Sequence, residues 1–121
     1  MDQQLLETIK RKMALPEEEL LFMIGCEIEP KFKKFADRTP EKSINTAKTW
    51  ISSHLSVFKK IICNSSTIRK HVKDSDDLLI VSAIADLISG ICTGVSPVTV
   101  SVLLTKKGIA DLCSQEWVDD Q

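Results

Sequence analysis

Between Ile44 and Ile62 the residues Ile44, Ala47, Ile51, Leu55, Phe58 and Ile62 recur at steps of three and four. Such steps return to one side of a helix with 3.6 residues per turn and cannot line one face of a strand. A second row, Trp50, His54, Val57 and Ile61, runs beside the first. Asn45, Lys48, Ser52, Ser53, Lys59 and Lys60 take the other side, beginning at the border of the stripe. A stripe this wide belongs to a helix packed on a core. Thr39 can cap it and Pro40 can open it, since the first helical position needs no N–H.

The remaining chain reads as further helices. Residues 2–14 place Leu5, Leu6, Ile9 and Met13 on one face, with Asp2 as cap. A second helix starts at Pro16 with Glu17, Glu18 and Glu19 in its first turn, where the helix dipole favours negative charge. Pro30 disfavours helix at Glu29, so a break is expected there, then a short helix over 30–38 with Phe32, Phe35 and Ala36 inward. Asn64-Ser65-Ser66 ends the long helix and caps a short one carrying Ile68 and Val72. Ser75 is expected to cap a helix over 75–93. From Leu78 to Cys92 that segment is apolar almost all round, which marks a central helix. Its narrow polar row is Ser82, Asp86, Ser89 and Thr93. Residues 97–104 alternate partly like a strand, but Ser96-Pro97 is a helix start, Lys106-Lys107-Gly108 is a helix end, and a strand would have no partner. The expectation is therefore an all-α fold. It is a compact bundle of five or six helices around the apolar helix at 75–93, forming one domain over 1–121 with a loose tail at 116–121.

Composition agrees with a folded domain. Of 121 residues, 43% are hydrophobic and 27% charged, the balance of a globular chain. Aromatics are 5% and Tyr is absent, so the core must be aliphatic. No secretory signal opens the chain, and the start at Met1 favours a whole protein of the cytoplasm. Cys26, Cys63, Cys92 and Cys113 are widely scattered. In that setting they are expected to be reduced and buried as small apolar side chains.

Few residues are arranged for chemistry. His54 and His71 are too far apart, from each other and from the cysteines, to form the close ligand pairs of a structural zinc site. Neither G-x-S-x-G nor a phosphate-cradling glycine loop occurs. No cofactor, metal or catalytic residue is expected. Asp86, flanked by apolar residues, is the candidate buried polar position, although the simpler reading is that its polar row faces water, and a catalytic reading would need it beside a group such as His54. The segment 78–104 is short of the roughly 20 apolar residues of a membrane span and is interrupted by polar residues.

Charge is the strongest remaining signal. Residues 31–73 hold eleven Lys or Arg against Asp37 and Glu41, whereas 1–30 sum to −4 and 74–121 to −6, within a total of −1. The basic middle offers Lys31, Lys33, Lys34, Arg38, Lys59, Lys60, Arg69, Lys70 and Lys73 to a protein partner or a polyanion. The competing interpretation is charge complementarity within the fold, the acidic ends packing near the basic middle. Phe32, Phe35 and Phe58 sit at core spacing and are poor base-stacking candidates. The reading favoured by these features is a non-catalytic protein-interaction module of the adaptor, regulator or immunity type. It would make contact through the basic row at 59–73 or near Val95–Val100. Nucleic-acid binding by 31–73 and self-association through the apolar 78–104 hairpin are the alternatives.

Overall fold

The computed structural model describes residues 2–29 and 39–118. All regular structure among them is helical: α1 Gln3–Met13, α2 Glu17–Ile28, α3 Pro40–Cys63, α4 Ser66–Lys73, α5 Asp77–Ile88, α6 Pro97–Lys107 and the single-turn α7 Ile109–Leu112. The expected helix at 30–38, and with it Lys31, Lys33, Lys34 and Arg38, lies outside the described residues.

Local chemistry sets the helix starts. Asp2 accepts from the Leu5 amide, Thr39 from Lys42, Ser65 from Ile68 and Ser96 from Thr99, each filling an orphan donor of a first turn. Pro40 and Pro97 open α3 and α6 as expected. Pro16 sits just outside α2 at its N-cap, without a side-chain bond.

Two further boundaries differ from the sequence reading. Asp76, not Ser75, caps α5, its carboxylate accepting from the Leu79 amide at 3.2 Å. Ser75 instead turns the chain with φ of 55°. The helix also ends at Ile88 rather than running to residue 93. Gly90 is a poor helix former, and Gly94, at φ 78°, reverses the chain toward α6. Cys92 and Val95 are buried within that turn.

The core is aliphatic, and among the described residues its buried aromatics are Phe58 and Trp117. α5 contributes Ile80, Val81, Ile84 and Ile88 but leaves Leu79 and Leu87 about 40% exposed (39% and 43%). It therefore shares the centre with α6, where every residue from Thr99 to Leu104 is buried. This enclosure explains the strand-like alternation of 97–104: a helix buried all round carries apolar residues on every side. Its polar members are satisfied in place. Ser101 Oγ donates to the Pro97 carbonyl at 2.7 Å, and Lys12 Nζ donates to Thr99 Oγ1 at 2.5 Å.

α2 and α3 approach each other closely at Gly25, where an added Cβ would lie 1.9 Å from the Ser43 carbonyl oxygen. One turn further, buried Ser43 donates to Glu29 Oε1 at 2.6 Å. At the other end of the chain, the expectation of four reduced cysteines fails. Cys63 and Cys113 form a disulfide that joins the end of α3 to the residue after α7, while Cys26 and Cys92 are free. The helices bring together two cysteines 50 residues apart in sequence, a pairing that spacing alone does not show.

Candidate functional site

Along α3, Lys48, Ile51, Ser52 and Leu55 fall at positions i, i+3, i+4 and i+7, so they share one face. That face looks across a gap toward Leu104 and Lys107 of α6 and Leu112 of α7, with Leu21 of α2 at its floor. The gap is a groove of about 500 Å³. This size, with an apolar floor and a few polar groups at the edge, suits a binding site. Gly108, at φ 108°, breaks α6 from α7 and lets the two helices line the groove from different angles.

Leu55 shows what the groove is. It belongs to the same stripe as Ala47, Ile51, Phe58 and Ile62, all of them buried, yet it is 37% exposed. The fold covers the α3 seam on both sides of Leu55 and leaves it open there. Lys48 is exposed at the edge, and so is Asp111. The Lys107 ammonium is 3.9 Å from Glu17, with both side chains about half exposed. Such a pair contributes little and is easily exchanged for another partner.

The basic row at 59–73 is dispersed and partly covered. Lys59 pairs with Glu116 at 3.7 Å. The Arg69 guanidinium lies 5.8 Å from the Trp117 ring centroid. Lys60, Lys70 and Lys73 are exposed. An acidic residue from the C-terminal stretch therefore does pack against the basic middle. Residues 116–118, where a loose tail is expected, include buried Trp117, whose indole donates to the Cys63 carbonyl at 2.8 Å.

Asp86 is exposed, as are Ser89 and Thr93, so this row faces water, as the simpler reading has it, and Asp86 is not a buried carboxylate. His54 lies on α3, its ring stacked 4.4 Å from Trp50 and its Nδ1 donating to the Trp50 carbonyl at 2.8 Å. Among the described residues no group of three or more His, Cys, Asp or Glu side chains could hold a metal ion, and no helix is long and apolar enough to cross a membrane. Of the 78–104 hairpin, the α6 half is buried, which leaves Leu79 and Leu87 of α5 as its exposed large apolar side chains.

A second polar cluster joins α1, α2 and the start of α6. Glu27 Oε2 accepts from the Ser96 amide at 2.6 Å, satisfying a donor at the N-terminus of α6. Burial pushes the Lys12 ammonium below the usual lysine range, opposed by nearby Glu27. Burial, and then Glu27, pushes the Cys92 thiol up. Thr99 is fully buried, and its bond from Lys12, with that from the Ser96 amide to Glu27, ties α1, α2 and the start of α6 together.

The groove was not visible in the sequence because Leu55 scans as core and Lys48 as ordinary solvated surface. Its other wall, from Leu104 to Leu112, comes from residues about fifty or more positions away. Comparison with protein-family models, curated proteins and solved structures finds no match to this chain.

Proposed function

We propose that this chain is a small non-catalytic interaction module that seats an amphipathic helix of a protein partner in the α3 groove. The observation that carries this reading is the open seam at Leu55, a core-type residue at 37% exposure between buried neighbours. An apolar floor takes the partner's apolar stripe, as in helix-in-groove recognition. Lys48 and Lys107 outnumber Asp111 at the edge, and the weak Lys107–Glu17 pair is exchangeable, which favours acidic residues on the partner helix over basic ones. An adaptor, regulator or immunity-type protein works this way.

The test is affinity capture from the native cell extract, with nuclease added, using wild-type, Leu55→Asp and Leu87→Asp proteins. The expected result is a protein captured by wild type and Leu87→Asp but lost with Leu55→Asp. A synthetic peptide of that protein's acidic amphipathic helix should compete for binding. Capture that is indifferent to Leu55→Asp, or that disappears with nuclease, rejects the reading.

A further inference from the structure

α3 and α7 line the groove from two sides, and one covalent bond joins them. Cys63 is the last residue of α3 and Cys113 the cap residue after α7, and the disulfide links the two. Leu112, the residue before Cys113, lines the groove, as does Asp111. Local structure holds α7 weakly. It is a single turn of four residues, and a turn that short is unstable alone. No side chain caps its start, where Gly108 enters at φ 108°. Glycine is the residue with the widest choice of backbone conformations, so the chain can pivot there. Ile109 is buried, whereas Ala110 and Asp111 are exposed. The bridge therefore fixes the far end of a wall whose near end is a glycine hinge.

We propose that reduction of the Cys63–Cys113 disulfide weakens partner binding by releasing α7 from its fixed place in the groove wall. The inference rests on the groove being the binding site. With the bridge closed, Leu112 is in position before the partner arrives. With it open, α7 pivots at Gly108, and the partner must order that wall as it binds, which costs affinity. The Trp117 indole bond to the Cys63 carbonyl involves no sulfur, so the chain stays at the end of α3 and the fold persists. Reduction is thiol–disulfide exchange with a dithiol. Its first thiolate attacks the Cys63 sulfur, and Cys113 leaves as a thiolate and takes up a proton. Its second thiol then displaces Cys63 from the mixed disulfide. Two electrons reach the bridge, which becomes two thiols, and the two sulfurs of the reagent become a disulfide. Cys63 is the point of entry. It is 6% exposed against 0% for Cys113, and with Asn64 and Ser65 it lines an open cavity of about 230 Å³. The reverse exchange, with the disulfide form of the reagent, closes the bridge.

The test compares the full chain in its oxidised form, the same chain in dithiothreitol, and a Cys63→Ser, Cys113→Ser variant that needs no reductant. Amide hydrogen exchange and leucine methyl resonances are followed by nuclear magnetic resonance. The Leu112 and Cys113 amides donate to the Gly108 and Ile109 carbonyls, so they report on α7 directly. Opening the bridge is expected to lower their protection about tenfold or more relative to the amides of α6, as in a local opening. The methyl resonances of Leu55 and Leu112 should shift, and those of Leu103 should not. Protection lost equally from α6 and α7 makes the bridge a general brace and overturns the proposal, as does α7 protection that does not change. The binding arm uses the protein captured in a Leu55-dependent manner. The serine variant should hold it about tenfold more weakly, on the order of the cost of ordering one wall side chain. Equal recovery by the oxidised chain and the serine variant overturns the redox control alone. Capture that does not depend on Leu55 defeats the groove reading itself, and this inference with it.

Discussion

At the scale of single residues, close approach and burial make the sharpest predictions. Gly25 is required because the Ser43 backbone occupies the space a Cβ would need. Backbone cannot yield as a flexible side chain does, so Gly25→Ala should separate α2 from α3. The expected loss lies at or above the upper end of about 1–3 kcal/mol for overpacking, read by chemical denaturation. Lys12 gives a pH signature. Its folded pKa lies below its unfolded value near 10.5, so between the two the unfolded chain binds more protons and stability rises with pH. Below the folded pKa the burial penalty is fully present. The Cys92 thiol acts in the opposite sense: its folded pKa is raised above 9.0, so its contribution is lost as pH rises through the folded value. In a Cys92→Ala background, the unfolding free energy should therefore climb toward pH 10.5 with Lys12 present and lose that climb in Lys12→Met. The role of Leu55 was not legible from the sequence. Its spacing is that of Ile51 and Phe58, and its exposure depends on how α6 and α7 happen to cross α3.

At the scale of elements, caps and turns were the readable part. Ser96-Pro97 and Gly108 bounded α6 against a strand-like valine pattern, because cap chemistry is local whereas the valine pattern reflected burial on all sides. Ser96→Ala should remove the bond to the Thr99 amide at 3.2 Å and destabilise the protein by about 1 kcal/mol. α5 was read too long because apolar residues continue past Ile88. Those at Cys92 and Val95 are buried in a turn, which hydrophobicity does not distinguish from a helix. α3 provides a contrast between two neighbours on one stripe. Ile51→Asp should place an unpaired carboxylate in the core and abolish stable folding. Leu55→Asp should leave the midpoint of thermal unfolding within a few degrees of wild type.

At the scale of the whole molecule, the disulfide and the charge distribution depend on tertiary placement. Their residues were all noticed in the sequence, but their pairing follows from the return of the chain after α7 to the end of α3. The bridge closes a sequence separation of 50 residues, so replacing both cysteines by serine should lower stability by about 2–4 kcal/mol, measured by denaturant unfolding. The basic middle was legible as a run of charge. Its pairing with Glu116 and its contact with the Trp117 ring were not, since the tail carrying them reads as loose. The central claim is that the helices enclose Thr99–Leu104 of α6 yet leave the α3 seam open at Leu55 for a partner. A photo-crosslinking amino acid at position 55 in the folded chain, exposed to light in its native cells, tests this most directly, with position 87 on α5 as control. The account predicts one protein adduct from position 55, absent from position 87, with the crosslink mapping to an acidic amphipathic helix. No adduct from position 55, or the same adducts from both positions, would contradict it.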